Sequence, residues 1–413
     1  MIMQRVEKHI IQKSNPYYPM IDEFCFQAKN LYNHANYLVR QAFCKEDKWI
    51  RYNNLDKLLK SDIEYPDYKN MPTAQSAQQT LRLLDKNWTA FFKSIKDWSK
   101  NKDKYLGRPK LPKYKAKDGR AILILTNQNV KIKDNTLWFP KSFNGFTQKV
   151  ICVNKCNFKS FQQVRFISKY NYIVMEVVYN VEIPDTKLED NKRYLSIDIG
   201  VDNLATVTNN FGEQPFIING KGLKSVNKYY NKQISHYREV AKRMNNRDYT
   251  HRMDSWTTKR NNIIDNYIHN ASRYIVNYAI ENNVSVIVIG KNDDWKQGSK
   301  MNKKVNQTFV QIPFAKLIQM ITYKAEEVSI SVIPTEESYT SGTSFLDNET
   351  PAKEYYNKSR RVYRGLFKCN NGNLVNADVN GSLQILKKVF PKAYADGIEA
   401  VALQPVVVNG CLI

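Results

Sequence analysis

Residues 194–210 read YLSIDIGVDNLATVTNN. Along the opening run, Leu195, Ile197 and Ile199 fall on one face of a strand, and Tyr194, Ser196 and Asp198 on the other. Further strands are predicted over 203–208 and 215–219, joined by the turn NNFG. A long basic helical stretch follows from about 221 to 282. Next come a strand at 284–289, a helix at about 314–327, a strand at 328–334, an irregular tract, and a last helix from about 379.

Three antiparallel strands followed by alternating helices and strands form the ribonuclease-H-like arrangement, a mixed sheet with helices on both faces. Asp198 is costly to bury in such a strand unless it is paired or holds a metal. Gly200 and Asp202 leave a turn-forming aspartate as an equal reading of this strand alone. In NADVNGSLQILKKV (376–389), Asp378 stands where a helix begins, a position the helix dipole favours for any acid. The last helix of this arrangement packs near the first strand and so brings Asp378 toward Asp198. Carboxylates converging on one sheet edge suit a two-metal phosphodiester site, with Mg²⁺ ions roughly 3.5–4 Å apart, and such a site generally needs a third acid.

The remaining chain is read from period and charge. With 413 residues, two or three domains are expected. A net charge of +24 points to a polyanion partner, although solubility alone is the plainer explanation. The 26 tyrosines and 6 tryptophans among the basic residues suit base stacking. The six cysteines, Cys25, Cys44, Cys152, Cys156, Cys369 and Cys411, contain no CxxC pair, which argues against a zinc site. The absence of a signal-like start and of a long apolar run leads to the expectation of a soluble, cytoplasmic protein. Residues 20 to about 100 carry helical apolar stripes, including Leu81, Leu84, Trp88, Phe91, Phe92 and Ile95, which are expected to form a helical core. The basic tract 100–120 is broken by Gly107, Pro109 and Pro112. From Ala121 to about Asp185 the period is two, which predicts a small β-barrel or sandwich, and residues 4–13 could add a strand to it.

Five segments of the last domain, DIGVDNLATVTN, KRNNIIDNYIHNASRYIV, QIPFAKLIQMITYKA, SYTS and NADVNGSLQILKKV, together resemble the RuvC nuclease domain of the TnpB family. Upstream, AQQTLRLLDKNWTAFFKSIK and GRPKLPKYK resemble that family's helical recognition lobe and its link into a β-barrel wedge domain. The resemblance implies an α+β multidomain protein: a first wedge strand at 1–15, a recognition bundle at 16–115, the wedge barrel at 116–188 and a RuvC-like domain at 189–413. It also implies a guide RNA (omega RNA) derived from a transposon, double- and single-stranded target DNA beside a short adjacent motif, and Mg²⁺- or Mn²⁺-dependent cleavage, with protein reading shape and pairing reading sequence. Asp198 and Asp378 match the family's catalytic aspartates.

Two departures stand out. The family's second catalytic residue, a glutamate, ends the strand VSVIVI (284–289), where this chain has Gly290. The four-cysteine zinc ribbon is reduced, within 339–374, to Cys369, so no zinc is expected there. Asp293 and Asp294 could swing back toward the gap. Glu336 and Glu337 are better placed, at the end of the neighbouring parallel strand. With strands about 4.8 Å apart, that strand lies roughly 9.6 Å from the one carrying Asp198, a span suited to glutamate rather than aspartate. The expected catalytic set is thus Asp198, Glu336 or Glu337, and Asp378, with Asp198, Glu337 and Asp378 holding the metal. Nucleic-acid contacts are expected from Lys110, Lys113, Lys115, Lys228, Arg252, Lys259, Arg260, Arg360, Arg361 and Arg364. The rival reading is a nuclease-inactive, RNA-guided DNA-binding repressor, motivated by Gly290. A transposase or resolvase working without RNA is a third.

Overall fold

The computed structural model describes residues 2–155, 157–184, 188–291, 303–363, 365–394 and 403–409, so Cys156, Asp293, Asp294, Arg364 and Cys411 lie outside the described residues. The chain divides into two compact units, Met1–Glu182 and Ile183–Ile413. Among the described residues no helix is long and apolar enough to cross a membrane.

The first unit opens with strand β1 (Ile2–Gln12) and three helices, α1 (Tyr18–Glu46), α2 (Tyr52–Ser61) and α3 (Ala74–Lys100). Strands β2 (Leu123–Thr126), β3 (Lys131–Lys133), β4 (Thr136–Trp138), β5 (Thr147–Lys149), β6 (Phe158–Ser168) and β7 (Tyr172–Glu182) follow. β1 pairs along its whole length with β7, so the helices are an insertion into a sheet of order β1-β7-β6-β2, while β3, β4 and β5 form a separate three-stranded sheet. Thr73 caps α3 through a reciprocal bond with Ser76, which fixes where that helix starts. The apolar stripe of α3 splits along its length. Leu81, Leu84 and Trp88 are fully buried, with the Trp88 indole donating to Asn36 at 3.0 Å. Phe91, Phe92 and Ile95 are only half-buried, so the core ends one turn after Trp88.

The second unit holds a six-stranded mixed sheet. Its strands are β8 (Tyr194–Asp198), β9 (Asn203–Asn209), β10 (Phe216–Asn219), β11 (Val286–Gly290), β12 (Ser331–Thr335) and, after three further short strands, β16 (Val406–Val408). The order is β12-β11-β8-β9-β10-β16. β11 runs parallel to both β8 and β12, whereas β8, β9 and β10 alternate in direction. The basic stretch forms two helices, α4 (Lys221–Asn245) and α5 (His251–Glu281), broken where Asn246 adopts the left-handed conformation that asparagine tolerates. Helices α6 (Lys303–Gln311), α7 (Phe314–Glu326) and α8 (Ala377–Val389) complete the unit. α6 and β16 are additions to the elements legible in the sequence.

The alternation read in residues 194–199 is what orients this sheet. Leu195, Ile197 and Ile199 pack with Ile264, Ile268, Ile275, Leu317 and Ile321 of α5 and α7. On the opposite face Tyr194 packs with Val286, Val288 and the α8 residues Ile385 and Leu386. Ser196 meets α8 through a buried polar cluster in which Ser382 Oγ donates to the Ser196 carbonyl at 3.0 Å and lies 2.9 Å from Thr208 Oγ1. The hydroxyl groups satisfy one another, so the burial is not penalised.

Between β12 and α8 the chain forms the three-stranded sheet β13 (Arg361–Tyr363), β14 (Leu366–Lys368) and β15 (Leu374–Asn376). Glu349 organises its approach. Its carboxylate accepts from Arg360 Nη1 and from the Ser344 backbone N–H, each at 2.7 Å, and from Asn370 at 3.3 Å. Burial alone would raise this carboxyl, but the Arg360 and backbone hydrogen bonds outweigh it and hold it below the usual glutamate range. Cys369 is buried beside the same network. Removing one partner of a partly buried, hydrogen-bonded ion pair leaves the other unpaired, at about 1–3 kcal/mol. Glu349→Ala should therefore strip hydrogen-exchange protection from β13–β15, while a zinc chelator should leave that protection unchanged.

Candidate functional site

Asp198 lies near two other acids, Asp378 and Glu337, at one end of the second unit's sheet. Asp198 is the last residue of β8, on the α8 face. Asp378 lies in the first turn of α8, whose N-cap Asn376 accepts from the backbone N–H groups of Asp378 and Val379. Glu337 follows the end of β12, beyond the Gly290–Thr335 register pair. All three residues are half-buried, and Glu337 Oε1 is itself shut off from solvent.

Gly290 and Glu337 share one space. A Cβ built on Gly290 would stand 2.7 Å from Glu337 Cγ and 2.6 Å from Ile385 Cδ1, and closer still to Glu337 Oε1. The missing side chain of one strand is the room occupied by the glutamate of the next. Gly381 plays the same part on α8, since a Cβ there would lie 2.9 Å from Asp198 Oδ2. A glycine inside a helix costs about 1 kcal/mol relative to alanine, and here that cost allows the helix to cross directly over a carboxylate.

The electrostatics follow from this crowding. Burial, then the neighbouring Asp378, pushes the Asp198 carboxyl up to about 7, with Arg361 pulling the other way. Burial, then Asp198 and Glu336, pushes Glu337 up to about 8. Two carboxyls raised first by burial, and then by an acidic neighbour, form a site that a cation stabilises. Asp378 is already engaged: Asn203 Nδ2 donates to Oδ2 at 2.6 Å, and Arg361 Nη2 reaches Oδ1 at 3.4 Å. No three acidic, histidine or cysteine side chains among the described residues are grouped as metal ligands. The donor set of three oxygen acids nevertheless has the chemistry a hard divalent cation selects.

Glu336 is turned away from this group. It is exposed, and Lys388 Nζ donates to its carboxylate at 3.1 Å and to its carbonyl at 2.9 Å. Of the basic residues expected to meet nucleic acid, Lys110, Lys113 and Lys115 are exposed in the first unit. Lys228 is exposed in the second, along a groove of about 1020 Å³ that also takes in Lys221, Lys224, Asn231, Arg361 and Asp378. Arg252 and Lys259 are exposed on α5, stacked over Tyr237 and Trp256 at 5.9 and 5.6 Å. Two arginines have other duties. Arg260 bonds Asn227 at 2.8 Å and the Gln311 carbonyl at 2.7 Å, tying α5 to α4 and to the end of α6. Arg360 is committed to Glu349 and Asn370. Its neighbour Arg361 points the opposite way, to Asp378. Asn203, Gly381 and Lys388 were missed in the sequence, although a glycine inside the pattern of the last helix is a visible signal of close approach.

Residues 176–296 match the OrfB_IS605 family, described as a probable transposase, and residues 314–385 match the Cas12f1-like TNB domain. A TnpB-like protein, ORF457 of Acidianus two-tailed virus, is 24% identical over 390 residues, spanning 87% of this chain and 80% of that protein. Two cryo-EM structures are similar, each with a TM-score of 0.36. A Cas12f1–sgRNA–target DNA complex is 15% identical, covering 93% of this chain and 98% of the other. A CRISPR-Cas12f ternary complex is 14% identical, covering 89% and 81%.

The shared space at Gly290 carries a direct test. Gly290→Ala should cost about 1–3 kcal/mol by overpacking. Adding Glu337→Ala removes two of the three colliding atoms, so the double variant should recover at least half of that loss. Chemical denaturation of the four proteins in the cycle reads the coupling.

Proposed function

We propose that the chain is a TnpB-family, RNA-guided DNA endonuclease whose RuvC-type site is built from Asp198, Glu337 and Asp378, a reading supported by the family models and the TnpB-like relative it matches. The observation that carries this reading is Glu337 seated in the space left by Gly290, beside Asp198 and on the edge where α8 brings Asp378. The family's usual glutamate position is vacated, and a glutamate from the adjacent strand reaches the same edge. This favours a working nuclease over the nuclease-inactive repressor, whose motivating feature was Gly290 alone.

In this reading Asp198, Glu337 and Asp378 would hold Mg²⁺ or Mn²⁺, which when bound activates water and stabilises the leaving oxygen of a phosphodiester. The chain's own residues prepare that chemistry. Asn203 fixes the Asp378 carboxylate by donating to Oδ2. Arg361, beside Asp378 and lining the groove, offers a planar donor set for the scissile phosphate. Lys221 and Lys228 present charge along α4 for the backbone of the strand leading into the site. Lys224 is paired with Asp202 and serves the groove less directly. The first unit is read as a wedge domain with an inserted recognition bundle, its exposed Lys110, Lys113 and Lys115 meeting guide or target nucleic acid. Sequence would then be read by pairing of guide RNA to DNA.

The RNA-loaded protein should cut target DNA in Mg²⁺, and Asp198→Ala should abolish cutting while leaving RNA-guided binding intact. Glu337→Gln should lower the cleavage rate by roughly 100-fold or more, since metal-ligand roles are worth several kcal/mol. Glu336→Gln should stay within about fivefold of wild type, as expected for an exposed ion pair. Binding by the wild type without any cutting would instead favour the repressor.

A further inference from the structure

We infer that Lys388 is a positioning residue for Glu337, a role that rests on the reading of Glu337 as a metal-holding acid. Asp198 needs no such help: it belongs to β8, which is paired on one side with β9 and on the other with β11, and the ladder sets its direction. Glu337 lies past the sheet. The last rung at this end is the Lys291 N–H donating to the Thr335 carbonyl at 2.7 Å, two residues earlier. Contacts beyond the ladder therefore help to direct an acid on such a turn.

Contacts of this kind come from α8 and from the turn itself. Lys388 Nζ donates to the Glu336 carbonyl at 2.9 Å and to Glu336 Oε2 at 3.1 Å, and lies 3.5 Å from the Ser338 carbonyl. One ammonium thus grips the peptide before Glu337 and the residue after it. Ser338 Oγ donates to the other oxygen of Glu336, keeping that acid outward. On the far side the Glu337 carbonyl accepts from Thr340 N at 3.2 Å and from Thr340 Oγ1 at 2.9 Å. Tyr339, at φ 69°, takes the left-handed conformation that closes the turn.

The spacing along α8 makes the arrangement a single template. Asp378, Gly381, Ile385 and Lys388 stand at i, i+3, i+7 and i+10, on one helical face. In order they supply the third acid, clear room for Asp198, close the space at Gly290 and hold the turn that carries Glu337. The lysine is therefore placed in register with the acids it serves.

The test is Mn²⁺ binding to the RNA-loaded protein, read by electron paramagnetic resonance of free Mn²⁺, alongside thermal denaturation. Lys388→Met should weaken Mn²⁺ binding by roughly 10- to 100-fold, the range for residues that orient metal ligands, with the melting temperature little changed. Lys388→Arg should restore much of the affinity. In a Glu337→Gln background Lys388→Met should have no further effect, because the group it positions is gone. The inference is overturned if Lys388→Met binds Mn²⁺ like the wild type while Glu337→Gln is weakened, or if the lysine's effect is undiminished in the Glu337→Gln background. If Glu337→Gln itself binds Mn²⁺ normally, the assignment of Glu337 fails, and the role of Lys388 falls with it. Should Lys388→Met not fold, Lys388→Gln is subject to the same criteria.

Discussion

Like charges repel, so acids that neighbour Asp198 at one sheet edge must be held there by interactions they do not make with each other. Here the holding is done by the two faces of a single sheet. One face is fastened to α5 and α7 by the isoleucines and leucines that alternate along β8. The other is fastened to α8 by Ile385, Leu386 and the hydroxyl cluster of Ser196, Thr208 and Ser382. Apolar burial of this kind is worth about 1.5–3 kcal/mol per large side chain. A handful of such contacts is enough to offset the rise of two carboxyls to about 7 and about 8.

The site is an acidic knot inside a basic surface, and the neighbouring cations are not interchangeable. Arg360 and Arg361 are adjacent in sequence yet face opposite ways, one into Glu349 and the other to Asp378. Arg360 gives up its availability to hold the small sheet that Arg361 begins. Arg260 does the same between α4 and α5, where a free basic side chain would have been expected on a nucleic-acid face. Charge counted along the chain overstates charge offered to a partner, because an arginine with several protein acceptors is already spent on the fold.

Much of the sheet was legible in the sequence because a period of two leaves a plain record. Asp198 shares a face with Ser196, and that face was predictable before any contact was known. Asp378 was legible through its place at a helix start. The choice between Glu336 and Glu337 was not, because alternation has meaning only while the strand lasts, and β12 ends at Thr335. The turn that carries Glu337 is bonded by Lys388 and Thr340, contacts from 51 residues and 3 residues away that no local period encodes. The same limit explains Phe91, Phe92 and Ile95. Their spacing continued the stripe of Leu81, Leu84 and Trp88, but near its end α1 offers Phe91 and Phe92 the ring of Phe43, which leaves them half-buried.

Gly290 and Glu337 are best understood as one feature spread over two strands. A side chain at 290 collides with the glutamate at 337, and a glycine at 290 without that glutamate leaves a gap against Ile385. Neither residue is favourable unless the other is present. An aspartate at 337 would not serve the pair equally, since it is one methylene shorter and stands two strands from Asp198, roughly 9.6 Å across the sheet. Side-chain length, strand spacing and the missing Cβ therefore constrain each other. The glycine at the end of β11 is for this reason tied to the glutamate that follows β12.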